Sequence, residues 1–177
     1  METRKGVTRV ILADSHTHLD QFPNNEILDV LDRARQAHVS FVISAGTNVD
    51  SSEACVKLAR LYEPCYAGVG VHPMDLAGPI DEAMYGQLKA IASSDEKVVC
   101  ISEIGLDFQP TSPDPVVQGQ AFRQQIRLAR ELSLPIVVHS RNAHKDVLLA
   151  LKEEAGYEVG GVMHYFQGDE GTAREAI

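Results

Sequence analysis

The sequence predicts an α/β fold and, within that class, a TIM-type (β/α) barrel of which about six of the eight βα units are present. Short apolar runs rich in β-branched residues alternate with amphipathic stretches of helical period along all 177 residues. Each run ends in polar or ionisable residues, which parallel strands would bring to one end of the sheet. No glycine-rich phosphate-binding turn follows the first run, as a doubly wound sheet would often have. The barrel is therefore favoured over the doubly wound sheet.

Six strand–helix units can be placed in order. The predicted strands occupy residues 10–13, 41–44, 65–71, 98–101, 135–138 and 160–163. The predicted helices occupy residues 25–38, 51–62, 81–92, 116–132, 142–154 and 171–177. No linker divides the chain, so we predict one domain over residues 1–177. We expect the last barrel strands to be missing, which would leave open edges on the first and sixth strands and favour self-association.

Composition and charge limit the class of protein. No apolar run is long enough to cross a bilayer, and the polar N-terminus is unlike a signal peptide. Three scattered cysteines form neither a disulfide framework nor a CxxC zinc motif, so we expect reduced thiols and a cytoplasmic location. The formal net charge of −9 counts against a nucleic-acid partner, unless bound divalent cations supply the local positive charge.

Histidines and one glutamate stand at the ends of four predicted strands. His16 and His18 follow the first strand, and their spacing points both side chains to one side of an extended chain. Glu103 follows the fourth strand, His139 the fifth and His164 the sixth. A lone histidine after an apolar strand is more often a hydrogen-bonded core residue. Five such residues at equivalent places predict a metal site.

The ligand types indicate the number and kind of ions. Four imidazoles and one carboxylate suit transition metals better than an all-oxygen calcium or magnesium site would. Five ligands exceed what one catalytic zinc usually takes from protein, and a carboxylate can bridge two ions about 3.5–4 Å apart. We predict two divalent ions that share Glu103, the catalytic residue, with a bridging water as nucleophile. Zinc, manganese, magnesium, nickel and cobalt all remain candidates.

Five motifs, taken in order, resemble those of the TatD-related metal-dependent deoxyribonucleases, a family of amidohydrolase-like barrels. The motifs are DSHTHLD at 14–20, GVHP at 70–73, EIGLDF at 103–108, VHSR at 138–141 and HYFQG at 164–168. The resemblance implies that His16 and His18 bind a first ion, that Glu103 bridges, and that His139 and His164 bind a second. It also implies a further aspartate ligand from an eighth strand, which we expect this chain to lack.

Four other residues are candidates for supporting roles. Arg141 shares the strand-end face of His139 and can hold a phosphate or another anion, or form a surface salt bridge. His72 is expected to contact substrate or to support a metal ligand. Asp107 and Asp20 can orient the ligand histidines, or cap loops.

Three functions remain open from the sequence. The resemblance implies a metal-dependent hydrolase domain that cleaves DNA phosphodiester bonds with a water activated by two ions. The same barrel also hosts metal-dependent amide and ester hydrolases of small molecules, although Glu103 replaces the fourth-strand lysine that many of them carry. The third hypothesis is an inactive, truncated fragment. We favour the deoxyribonuclease, with DNA as the partner and no membrane association.

Overall fold

The computed structural model describes residues 11–177 as six strands, six α-helices and three short 3₁₀ turns. The strands are β1 Leu12–Thr17, β2 Val39–Ala45, β3 Cys65–Val69, β4 Val98–Asp107, β5 Ile136–Arg141 and β6 Gly161–Met163. The helices are α1 Ile27–Gln36, α2 Val49–Leu61, α3 Glu82–Ala92, α4 Pro115–Leu132, α5 His144–Glu153 and α6 Glu170–Ala176. Val10, where the first predicted strand begins, and the polar N-terminus lie outside the described residues.

The six strands form one sheet in the order β1-β2-β3-β4-β5-β6, and every neighbouring pair is parallel. The sheet curls until its two edge strands come close together. The ring of His16 in β1 stacks on the ring of His164, which follows β6, with centroids 3.7 Å apart. Sequential parallel order in a curled sheet is the arrangement of a barrel. The predicted α/β barrel-type fold is therefore confirmed, as a half-barrel of six strands within residues 11–177.

Several predicted strand ends were wrong, most of all that of the fourth strand. The fourth strand was expected to end at Ile101, but β4 continues to Asp107, so Glu103 lies within the strand. Its later residues pair with β5, as Gly105 does with His139. A Cβ atom at Gly105 would collide with the backbone of His139, so glycine allows the two strands to approach closely here. The first strand likewise continues past the predicted end at Ala13.

The middle of the sheet is buried and its two edges are exposed. Every residue of β4 except Val99 is buried, and a large apolar cluster joins β3, β4 and β5 to the helices that cover them. In contrast, four of the six β1 residues are exposed, and β6 has no buried residue. A smaller apolar cluster beneath β2 contains Leu19, Ile27 and Leu31. Within residues 11–177, no helix has the length and apolarity that a membrane span requires.

Candidate metal centre

Glu103 lies at the centre of the candidate site, with imidazole rings on both of its carboxylate oxygens. Oε2 is 3.1 Å from Nε2 of His16 and 3.8 Å from Nε2 of His18. Oε1 is 2.8 Å from Nδ1 of His139 and 3.8 Å from Nε2 of His72. Only 4% of Glu103 is exposed, so this carboxylate is buried among four histidines that come from three other strand ends. The structure therefore brings together four of the five predicted metal ligands.

One group of ligand atoms joins β1 to β4. Nδ1 of His18 donates to the carbonyl oxygen of Ala45 at 2.9 Å, which leaves Nε2 as the ligand atom and fixes the ring. Both ring nitrogens of His16 are buried without a hydrogen-bond partner, because the short contact to Glu103 is poorly aligned for a hydrogen bond. Unpartnered buried nitrogens cost free energy, and a cation would satisfy one of them. The ligand atoms of His16, His18 and Glu103 lie within 4.8 Å of one another and fit one divalent ion.

A second group of ligand atoms joins β4 to β5. It consists of His72, Glu103 and His139, whose ligand atoms also lie within 4.8 Å of one another. Nε2 of His139 is 2.9 Å from Oδ2 of Asp107, so this nitrogen donates its proton and Nδ1 is left to face Glu103. A carboxylate that accepts from a histidine in this way orients the ring for an ion. The geometry fits an ion beside Glu103 and His139.

His72 is held as a hydrogen-bond donor. Its Nδ1 accepts from the backbone N–H of Met74 at 3.1 Å, so a neutral ring carries its proton on Nε2. That nitrogen faces Nδ1 of His139 at 3.1 Å. Burial lowers the pKa of His72 to about 4, despite the nearby Glu103 charge, so the ring is neutral at pH 7. This arrangement favours contact with an electron-rich substrate atom over metal ligation.

His164 follows β6, lies against His16 and also lines one cavity with His139. It was expected to share an ion with His139, but its ring stacks on His16. Burial, together with His16, lowers its pKa, which keeps the ring neutral. Its strand is short and lies at the exposed edge of the sheet, so the sequence pattern could not fix the side to which the ring turns. As a metal ligand, His164 stays a prediction.

Glu103 and His139 shift each other's pKa in opposite directions. Burial raises the pKa of Glu103, but His139 and His16 lower it by more, so the carboxyl is ionised well below its usual range. Burial lowers the pKa of His139, but Glu103 and Asp107 raise it by more. A histidine must be deprotonated to bind an ion, so an ion that binds through His139 acts against this upward shift.

The two aspartates with predicted supporting roles differ in what they contact. Asp107 binds His139 through one oxygen, and its other oxygen accepts from the hydroxyl of Ser112 at 2.8 Å. Asp20 accepts from the hydroxyl of Ser51 at 2.6 Å. No histidine is among the hydrogen-bond partners of Asp20 in residues 11–177. The structure thus places Asp107 against a candidate ligand, whereas Asp20 is tied to α2.

Arg141 lies at the end of β5, beside the candidate metal ligands. It lines a cavity of about 300 Å³ together with His139, Ser140, His164, Tyr165 and Gln167. The guanidinium lies against the side-chain amide of Gln109, whose oxygen accepts from it when it faces the guanidinium. The positively charged guanidinium of Arg141 therefore lies at the rim of the site, in a place suited to an anionic group.

Sequence reasoning missed two buried glutamines that contact the strand ends next to the site. Gln118 and Gln125 lie in α4 and are 0% and 1% exposed. They stand seven residues apart, among apolar residues of the helix face that packs on the sheet. Polar residues at this spacing on an apolar face were the signal that could have found them.

A curled parallel sheet with a histidine–carboxylate cluster at the ends of its strands defines the class of metal-dependent hydrolases. Comparison with known proteins gives the particular family. Residues 13–177 match the profile of the TatD related DNase family, and the chain belongs to that family.

Relatives and solved structures agree with this assignment. The metal-dependent hydrolase YabD of Bacillus subtilis is 36% identical over 169 residues, which are 94% of this chain and 65% of the relative. The 3'-5' ssDNA/RNA exonuclease TatD of Cronobacter sakazakii is 40% identical over 149 residues, which are 84% of this chain and 56% of the relative.

Among solved structures, the TatD homolog YJJV of Escherichia coli superposes with a TM-score of 0.82 at 31% identity, over 93% of this chain and 64% of that one. A TatD family hydrolase of Entamoeba histolytica has the same TM-score at 23% identity, which supports the fold alone. The chain spans less than two thirds of the length of each of these proteins.

Proposed function

We propose that this chain carries a two-ion nuclease centre that hydrolyses phosphodiester bonds of DNA. The observation that carries the proposal is the buried carboxylate of Glu103, which has histidines on both oxygens. A carboxylate placed between two groups of imidazoles suits a bridge between two ions. A relative at 40% identity is named a 3'-5' ssDNA/RNA exonuclease, which supports a nucleic-acid substrate.

In this proposal the first ion is held by His16, His18 and Glu103, and the second by Glu103 and His139, with His164 as a further ligand. Manganese, zinc, magnesium, nickel and cobalt remain candidates. When bound, such a pair of ions polarises the phosphoryl oxygen and generates a nucleophile from water at neutral pH.

The chain's own residues bind and orient the substrate. The guanidinium of Arg141 pairs with a phosphate, and the Nε2–H of neutral His72 donates to a phosphoryl oxygen. Asp107 keeps the His139 ring in the orientation that a ligand needs. Glu103 is only 4% exposed, so bulk water has little access to its carboxylate.

The acidic character of the chain is compatible with this proposal if the ions supply the positive charge that attracts DNA. The formal net charge is −9, and Arg141 is a nearby cation at the cavity rim. Three buried free cysteines support our further proposal of a reducing, cytoplasmic location. We also propose a single domain over residues 1–177 and self-association through the sheet edges.

The test is hydrolysis of end-labelled single-stranded DNA by the purified chain with Mn²⁺, with Zn²⁺ and with chelator. Glu103→Gln is compared with Glu131→Gln, a matched change at a surface carboxylate that pairs with Lys89. We expect metal-dependent cleavage that Glu103→Gln abolishes and Glu131→Gln leaves intact. Cleavage that persists in chelator, or that survives Glu103→Gln, would overturn the proposal.

A further inference from the structure

Two buried glutamines of α4 have no role in the metal centre as described above. Gln118 and Gln125 are almost fully buried on the helix face that packs against the sheet. Their neighbours on this face are apolar, among them Phe122 and Ile126. Burying a carboxamide costs free energy unless its oxygen and nitrogen are both hydrogen-bonded. Apolar residues of similar volume would fill this face at lower cost.

Gln118 is bonded to both backbone polar groups of one residue. Its Oε1 accepts from the N–H of Asp107 at 2.8 Å, and its Nε2 donates to the carbonyl of Asp107 at 2.9 Å. Nε2 also donates to the carbonyl of Pro113 at 2.7 Å. Asp107 is the last residue of β4 and holds the ring of His139. The amide therefore fixes the backbone from which this carboxylate extends.

Gln125 repeats the arrangement two helical turns further along α4. Its Oε1 accepts from the N–H of Val71 at 2.7 Å, and its Nε2 donates to the carbonyl of Val71 at 3.1 Å. Val71 lies beyond the end of β3 and immediately precedes His72. Each glutamine thus supplies the donor and the acceptor that a paired strand residue would supply.

We infer that Gln118 and Gln125 are positioning residues, through which α4 sets the orientation of His139 and of His72. Gln118 acts on His139 through Asp107, and Gln125 acts on His72 through the backbone of Val71. The inference rests on the proposed metal centre and assigns a role to residues that do not touch it. Gln124 of the same helix is a natural contrast, because its amide donates to the carbonyl of Ile80 and to no residue that carries a site side chain.

The test compares Gln118→Met, Gln125→Met and Gln124→Met in the whole chain. Mn²⁺ affinity is measured from the EPR signal of free Mn²⁺, and the histidine rings of the metal-free protein are observed by long-range ¹H–¹⁵N NMR. We expect Gln118→Met to weaken Mn²⁺ binding about tenfold or more, as the loss of outer support for a ligand commonly does. It should also shift the His139 ring signals. Gln125→Met should shift those of His72, and Gln124→Met should leave both unchanged.

Coupling distinguishes positioning from general destabilisation. In an Asp107→Ala background, Gln118→Met should cause no further loss of Mn²⁺ affinity, because the hydrogen bond from His139 to Asp107 is already absent. If Gln118→Met does not fold, Gln118→Ala replaces it, because the shorter side chain leaves room for water to bond to the backbone groups of Asp107 and Pro113. A loss of Mn²⁺ affinity and a shift of the His139 signals are expected there as well.

The outcomes separate this inference from the function on which it rests. If the wild-type chain binds no Mn²⁺ and no other divalent ion, the proposed metal centre fails, and the inference fails with it. If the wild type binds Mn²⁺ and both Gln118 variants bind it equally well, with His139 signals unmoved, only the inference is overturned. The same holds if Gln124→Met has effects as large as those of Gln118→Met.

Discussion

The middle and the edges of the sheet contribute to the candidate site in different ways. Glu103 and His139 come from β4 and β5, whose apolar residues other than Val99 are buried beneath the helices that cover the sheet. His16 and His164 come from β1 and β6, whose residues Leu12 and Val162 are 46% and 48% exposed. The central half of the site is thus preorganised by packing. The outer half is held mainly by its contacts with the central half.

This difference predicts where a bound ion adds stability. An ion that joins His16 and His18 to Glu103 ties an exposed strand to a buried one. Ligand at about 100 times its dissociation constant stabilises the binding-competent state by about 2.7 kcal/mol, or roughly 100-fold. We expect this protection mainly in β1, because amides in the core of β4 already exchange only through larger openings.

Hydrogen exchange followed by mass spectrometry, with Mn²⁺ and then with chelator, measures this effect. Amide exchange in the peptides that cover β1 should slow by about 100-fold when Mn²⁺ is bound, and exchange in those of β4 should change little. In Glu103→Gln, which has lost the shared ligand, the two conditions should give the same exchange. Equal protection of all strands would contradict the proposed difference between edge and middle.

The same contrast explains which features the sequence could predict. The strand order followed from the regular alternation of strand and helix, which depends on local patterns alone. The proximity of the candidate ligands His16, His18, Glu103 and His139 followed from their places beside the strands, because parallel strands bring these positions to one end of the sheet. These predictions needed no knowledge of packing distances.

Features that depend on packing were mispredicted or missed. The polar residues of β4 were expected to end the strand, but they continue it because β5 pairs with them closely at Gly105. Gln118 was missed because a helix face that alternates apolar and polar residues looks half-exposed in sequence. The place of His164 depends on how far the sheet curls, and the spacing of residues within one strand does not record that.

The two aspartates offer a second comparison of middle and edge. Asp107→Asn replaces the carboxylate that accepts from His139 in the middle of the sheet. Since such outer partners commonly change metal affinity by 10–100-fold, we expect a loss of that order in Mn²⁺ binding. Asp20→Asn, which alters a contact with Ser51, should change it by less than about threefold.

Mn²⁺ titration of both variants checks this expectation, with thermal unfolding of the metal-free proteins as the control for folding. If Asp20→Asn weakens binding as much as Asp107→Asn does, the sequence-based assignment of Asp20 to the support of a ligand is supported. If neither does, the hydrogen bond from His139 to Asp107 has no part in holding the ion.

The smallest expected effect concerns how well the core excludes water from its buried thiols. Burial raises the pKa of the Cys55 thiol to about 12, and burial raises that of Cys100 to about 11. In the unfolded chain a cysteine thiol has a pKa of about 8.5. Above that pH the unfolded state releases a proton that the folded state keeps, so folding stability is fully present below about pH 8.5 and falls as pH rises toward the folded pKa.

Urea unfolding at a series of pH values between 7.5 and 9.5 measures this loss, which should be about 1 kcal/mol for each buried thiol at the upper end. Cys55→Ala lowers stability at every pH by removing packed atoms, but it should also make the pH dependence shallower by the share of one thiol. The comparison therefore uses the slope and not the absolute free energy of unfolding. An identical slope in Cys55→Ala would mean that water reaches this thiol in the folded protein, and that the core between α2 and the sheet is less protected than its burial indicates.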